Sequence, residues 1–378
     1  MCSLIANVLK KNILGFQAFV KHDNSRIMCV KLTRRCLSSI ESNTIVYSEY
    51  GDPNKVLKAE RRLIQGPLKD SEVLVKMLMA PVNPSDINMI EGTYLLKPPL
   101  PAVVGNEGVA EVVEIGANVK SLKTGDWVIP SQAGFGTWRS HAVSDEATFL
   151  KIGNDIPPLS AATIAVNPTT AYRMLKDFVN LKPGDTVIQN LSNSAVGQSV
   201  IQIAKAWNIK TVNVVRNRDN LNELEEQLKN LGADHVVTEE FMRTPEMKNV
   251  IKSLGSPPKL AFNGVGGKSA TELLRHLAPK GIMVTYGGMS RQPVTVPTGV
   301  FIFKEVKAVG YWNSQWNMEN ADSPERVKMF EELCDMIREC KLIPPPSEIF
   351  ELENYAEAVK IAMSGFQEKK KVLAMQDF

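Results

Sequence analysis

An alternation running from about residue 183 to residue 286 constrains this chain most. Short apolar stretches at 186–189, 211–215, 235–237, 260–263 and 281–286 are separated by segments with apolar residues at helical spacing. In 196–207 those residues are Val196, Val200, Ile201 and Ala204. A second helical segment, 221–231, stops at Gly232, and a third covers 269–277. Strands alternating with helices in this way predict an α/β fold with a doubly wound parallel sheet.

The rest of the chain has a different texture. From 44 to 143, short apolar stretches (72–79, 108–115, 126–130) lie between turns such as Gly66-Pro67, 97–101 and Thr124-Gly125-Asp126, which predicts a β-rich unit. After the alternating region come a predicted helix at 324–340, prolines at 344–346, a helix at 355–363 and a strand at 371–375. At 378 residues, two domains are the prior, and 44% hydrophobic against 22% charged residues is ordinary globular usage.

The net charge of +3 is unevenly spread. Residues 1–40 hold seven basic side chains and one acid, Asp23, so the remaining body is slightly acidic. A nucleic-acid-binding surface is therefore not expected. Neither apolar run in 1–40 reaches the ~18 residues of a membrane span. Basic residues fall between the two runs, which fits an organelle transit peptide better than a secretory signal; a retained extension is the alternative. Three of the five cysteines (Cys2, Cys29, Cys36) lie in this segment, and Cys334 and Cys340 have no zinc spacing around them. None of the four histidines (His22, His141, His235, His276) pairs with Cys or His at ligand spacing, so no metal site is expected.

Three stretches carry chemistry. The turn Asn190-Leu191-Ser192-Asn193-Ser194-Ala195-Val196-Gly197 joins a predicted strand to a predicted helix, where a pyrophosphate meets a helix N-terminus. Its glycine fingerprint is incomplete, and helix capping by Ser192 or Asn193 is the alternative. Nineteen residues past Gly197, Arg216-Asn217-Arg218 ends the next strand. A carboxylate here would bind a ribose 2′-hydroxyl; guanidinium suits a 2′-phosphate, which predicts NADPH, against the alternative of two solvated arginines. The third stretch, 83–94, is expected to be a loop ending at Tyr94. A phenol is a competent proton donor at neutral pH, although a lone loop tyrosine is more often a packing or rim residue.

Together with the matching stretches at 80–92 (APVNPSDINMIEG), 101–108 (PAVVGNEG), 125–139, 166–175 (VNPTTAYRML), 183–204, 264–277, 284–289 (VTYGGM) and 303–316, these residues resemble a known family. The chain is similar to the zinc-free branch of the medium-chain dehydrogenase/reductase superfamily, and within it to the mitochondrial trans-2-enoyl-CoA/acyl-carrier-protein reductases. The resemblance implies a GroES-like β-rich catalytic domain over 41–165 and 316–378, a Rossmann NADPH-binding domain over 166–315, a mitochondrial presequence over 1–40 with a matrix location, and a homodimer. It implies that Tyr94 is catalytic. It implies that Asn167, Asn193, Ser194, Ala195, Val196, Arg216, Asn217, Arg218, Tyr286, Gly287, Gly288, Met289, Tyr311, Trp312, Asn313 and Lys370 contact the cofactor.

The function expected is NADPH-dependent reduction of trans-2-enoyl thioesters of CoA or acyl-carrier protein in mitochondrial fatty acid synthesis. The alternatives are an NADPH:quinone reductase and a nucleotide-binding regulatory protein. Trp312 and Phe303 are candidate walls of an acyl channel. Lys304, Lys307, Arg326 and Lys328 are candidate contacts for an acidic carrier, solvated surface charge being the alternative.

Overall fold

A computed structural model of the chain describes residues 39–364 and 368–375. The segment in which a presequence is expected lies, up to residue 38, outside the described residues. Among the described residues no helix is long and apolar enough to cross a membrane.

The alternating region forms a six-stranded sheet, parallel throughout. Its spatial order is His235–Thr238, Lys210–Val215, Thr186–Gln189, Leu260–Asn263, Ile282–Thr285, Lys307–Gly310. In sequence order that is 3-2-1-4-5-6, the Rossmann arrangement. The central strands Thr186–Gln189 and Leu260–Asn263 are buried at every residue, as strands covered on both faces must be. Helix Leu221–Leu231 ends where the sequence predicts, because Gly232 adopts a left-handed φ of 114°. Strand order reverses between Thr186–Gln189 and Leu260–Asn263, which opens a crevice at their carboxyl ends.

The β-rich part holds two sheets. One orders Ser347–Glu351, Lys370–Ala374, Glu72–Pro81, Val109–Ile115, Trp127–Pro130 and Phe149–Ile152, with His141–Asp145 also paired to Glu72–Pro81. The other pairs Leu57–Gln65 and Ala102–Val103 with Ser39–Tyr47. One apolar core joins this part to the parallel sheet. Val109, Ile129 and Ile152 meet Val187, Phe262 and Val284 through Tyr172 and Met174 of helix Asn167–Asp177 and Met329 and Leu333 of helix Pro324–Arg338. Each fully buried aliphatic side chain contributes about 1.5–3 kcal/mol to holding the two parts together.

The expected loop at 83–94 is in fact a helix, Pro84–Ile90, followed by a turn. Pro84 presets the first helical φ, and the Asp86 carboxylate accepts the Asn83 N–H at 2.7 Å. Seven residues are too few to show an apolar period. The turn after it needs Gly92, whose φ is 74° and where a Cβ would stand 2.9 Å from the Tyr50 ring. Both Thr93 and Tyr94 then donate their N–H to the Asn88 carbonyl, at 2.9 and 3.0 Å. Tyr94 is thus presented on a hydrogen-bonded turn.

Candidate active site

The turn after Thr186–Gln189 is tight. Leu191 takes a positive φ of 56°, and Ser192 donates its hydroxyl to the carbonyls of Gln189 and Val214, both at 3.1 Å. Ser194 caps helix Ala195–Ala206 by accepting the Gly197 N–H at 3.1 Å. The cap thus falls to Ser194 and not to Ser192 or Asn193. A Cβ on Gly197 would lie 2.5 Å from the Ser192 carbonyl oxygen, so only glycine lets the helix start against this turn. The helix head, with its partial positive charge, faces the crevice.

Adjacent strand ends supply the other expected cofactor contacts. Lys210–Val215 ends at Arg216, Asn217 and Arg218. The Arg218 Nε is buried without a hydrogen-bond partner. Burial, followed by the nearby positive charge of Arg216, pulls the Arg218 pKa down. Two guanidinium groups held together, one with an unsatisfied N–H, form a cradle suited to a phosphate. Ile282–Thr285 ends at Tyr286-Gly287-Gly288-Met289, which folds over Gly264: Met289 donates its N–H to the Gly264 carbonyl at 3.0 Å. The Tyr286 hydroxyl lies buried against Ser194, and burial, opposed by the Ser194 hydroxyl, pushes its pKa up to about 12. Thus the orphaned guanidinium nitrogen of Arg218 fits a bound dinucleotide phosphate.

Lys307–Gly310 ends at Tyr311, Trp312 and Asn313. Tyr311 donates its hydroxyl to Asn313 Oδ1 at 3.0 Å, and Asn313 Nδ2 donates to the Ala165 carbonyl at 3.2 Å. Trp312 donates its Nε1–H to the Tyr94 hydroxyl oxygen at 2.8 Å, with the rings edge to face at 6.1 Å. Ser314 Oγ lies 3.5 Å from the same oxygen. With Trp312 donating, the Tyr94 proton is left for another acceptor. The helix after Trp312 is braced by Arg173, whose guanidinium sits 4.3 Å over the Trp316 ring and grips Asp177 at 2.6 and 2.8 Å.

Lys370 joins the crevice from the far end of the chain. Its Nζ donates to Asn83 Oδ1 at 2.6 Å and to Asn167 Oδ1 at 3.1 Å. Asn83 Nδ2 donates to Glu107 Oε2 at 2.8 Å, and the Val166 N–H donates to Glu107 Oε1 at 2.7 Å. Asp86 accepts from Asn106 through both N–H groups, at 3.0 and 2.7 Å. Burial pushes Asp86 up to about 7, and the Asn83 and Asn106 donors work against that rise. It raises Glu107 and lowers Lys370 as well, each opposing the other's shift.

Sequence reasoning did not single out Asp86, Glu107, Arg173 or the buried strand-end amides Gln189, Asn190 and Asn263. An amide closing an apolar run, as in TVIQN and LAFN, is the signal that would have found the last three.

Two expected carrier contacts, Arg326 and Lys304, are engaged elsewhere, and one expected channel wall, Phe303, lies exposed. Phe303 is 84% exposed on helix Thr298–Lys304. Arg326 is 2% exposed and donates to the Ser131 and Ala321 carbonyls, so it faces the interior. Lys304 caps a helix end by donating to the carbonyls of Arg275 and Leu277, at 2.7 and 2.9 Å. In each case, residue type revealed polarity but not direction.

The chain matches the alcohol dehydrogenase GroES-like domain family over residues 69–154 and the zinc-binding dehydrogenase family over residues 195–332. Zinc does not fit the residues present. Asn106 already donates to Asp86 and accepts the Gly134 N–H at 2.7 Å, and no group of three His, Cys, Asp or Glu among the described residues is placed to hold a metal. The mitochondrial enoyl-[acyl-carrier-protein] reductase of Xenopus tropicalis is 53% identical over 92% of this chain and 99% of its own length. Two solved structures superpose with TM-scores of 0.83 at 38% identity, over 89% of this chain and all of theirs. One is the mitochondrial 2-enoyl thioester reductase Etr1p/Etr2p heterodimer from Candida tropicalis; the other is Etr1p in complex with NADP and crotonyl-CoA. The chain belongs to the mitochondrial enoyl-[acyl-carrier-protein] reductase family, built on the zinc-free medium-chain dehydrogenase/reductase fold.

Proposed function

We propose that this protein reduces the Cα=Cβ bond of trans-2-enoyl thioesters, carried on CoA or on acyl-carrier protein, with NADPH in mitochondrial fatty acid synthesis. The observation that carries this reading is the Trp312–Tyr94 hydrogen bond, set beside the strand-end crevice with its Arg216–Arg218 cradle.

Bound NADPH supplies a hydride to Cβ. Negative charge then gathers on the thioester oxygen and Cα. Tyr94 donates its proton to Cα, and the Trp312 N–H stabilises the oxygen left behind, because a preformed donor is worth more to an anion than to a phenol. Ser314 Oγ is near enough to pass a replacement proton to Tyr94. Asn167 and Lys370 would contact the cofactor, and Arg216 and Arg218 would hold its 2′-phosphate. The shared apolar core keeps both walls in register.

A homodimer is part of the proposal. Lys307–Gly310 is an edge strand, and Phe301, Ile302 and Phe303 beside it are 51%, 61% and 84% exposed. Such an edge with an apolar flank suits a second copy of the chain.

NADPH oxidation by purified protein with trans-2-hexenoyl-CoA is the test, with NADH and a quinone as paired controls. Turnover with NADPH and the thioester alone is expected. Turnover of the quinone but not of the thioester would refute this reading.

A further inference from the structure

Glu107 carries no role in the chemistry above, yet it is a carboxylate at 1% exposure in the middle of the site's scaffold. It sits where two donors converge, the Val166 N–H and Asn83 Nδ2, at 2.7 and 2.8 Å. A buried carboxylate is costly to keep, and a neutral amide would offer only one acceptor here. Its bonds close a circuit around Tyr94. In one direction, Asn83 caps helix Pro84–Ile90, and the Asn88 carbonyl of that helix holds the Tyr94 N–H at 3.0 Å. In the other direction, Val166 follows Ala165, whose carbonyl accepts Asn313 Nδ2 at 3.2 Å. Trp312, next in sequence to Asn313, donates to the Tyr94 hydroxyl. The phenol is therefore fixed at its backbone and at its oxygen by two arms that meet at Glu107. Lys370 bonds to Asn83 and Asn167, and it supplies the compensating positive charge.

We propose that Glu107 is a positioning residue for the reduction: its two oxygens lock helix Pro84–Ile90, whose following turn presents Tyr94, to the 165–167 segment, setting the phenol against the substrate carbon. This rests on the catalytic assignment of Tyr94 made above. A displacement on the ångström scale at a reacting group is enough to cost roughly a hundredfold in rate.

The test is a double-mutant cycle on full-length protein, with kcat for trans-2-hexenoyl-CoA as the readout and thermal melting recorded for each variant. Glu107→Gln keeps the shape, but it turns an N–H group toward one of the two donors. Its kcat is expected to fall by roughly tenfold to a hundredfold. In a Tyr94→Phe background, which has no proton to place, the same change is expected to cost almost nothing further. Asn83→Ser keeps a helix-capping side chain but cannot reach Glu107; it is expected to repeat the loss if Glu107→Gln folds poorly.

Full kcat in both Glu107→Gln and Asn83→Ser overturns the proposal. So does a cycle in which Glu107→Gln costs the same factor with and without the phenol; that result leaves Tyr94 catalytic and removes only Glu107's role. Full turnover in Tyr94→Phe alone overturns the Tyr94 assignment and this inference together.

Discussion

Replacing Trp312 with Phe removes one hydrogen-bond donor and little else. The indole Nε1 lies 2.8 Å from the Tyr94 oxygen, and the six-membered ring retained by Phe preserves much of the edge-to-face contact at 6.1 Å. While the phenol keeps its proton, the bond is neutral and contributes about 0.5–1.5 kcal/mol. When the proton moves toward Cα, the oxygen becomes anionic and the same N–H contributes about 1.5–3 kcal/mol. Only the part realised in the transition state affects the rate. Taking the full charged value as the upper limit, kcat falls by about tenfold to a hundredfold, at 1.36 kcal/mol per tenfold. Affinity for NADPH should change little, because the Trp312 Nε1–H already donates to the Tyr94 oxygen and Phe keeps a ring in its place. Steady-state kcat and fluorescence titration with NADPH measure the two quantities, and the solvent deuterium isotope effect on kcat should rise as proton transfer becomes slower. A Trp312→Phe enzyme with kcat within threefold of the parent, or one whose loss lies in NADPH binding, would refute the assignment of this bond to the proton donor.

Two further outcomes follow from the electrostatics. Arg218→Ala removes a guanidinium whose Nε lacks a protein partner; NADPH should bind about tenfold to a hundredfold more weakly, as expected for a charge-assisted bond, with NADH binding unchanged. Titrating both cofactors against the variant checks this. Asp86 has its folded pKa raised from an ordinary value near 3.8 to about 7. Between those values the folded protein holds a proton that the unfolded chain has lost, so this group's stabilising contribution is complete below about pH 4 and disappears as pH rises through 7. Denaturant unfolding of the parent and of Asp86→Asn should show the parent losing ground relative to the variant across that interval, and parallel pH profiles would contradict it.

Local signals made the parallel sheet readable. Leu221–Leu231 with its Gly232 stop, Leu260–Asn263 and Tyr355–Met363 lie where apolar spacing and turn residues place them. Helix Pro84–Ile90 was less legible because it is too short for an apolar period, although Asn83, Pro84 and Asp86 spell its cap locally. The cofactor turn and the arginine pair were visible because both follow strands at fixed offsets. The network around Glu107 was not visible. Its bonds join residues 24, 59 and 287 positions apart, and no local pattern records such a meeting. Phe303 and Arg326 show the same limit from the other side: an aromatic lies exposed and an arginine lies buried, because tertiary placement decides which way each helix faces.

The strand Lys370–Ala374 lies inside the seven-stranded sheet, between Ser347–Glu351 and Glu72–Pro81, pairing Val372 with Pro81. The catalytic half is therefore threaded from both sides of the cofactor half, and its sheet cannot close until the intervening two hundred and more residues have left the ribosome or the import channel. A nonsense codon at position 369 would delete an interior strand together with the lysine that reaches Asn83 and Asn167. For this gene a stop at that codon should behave as a complete loss of function.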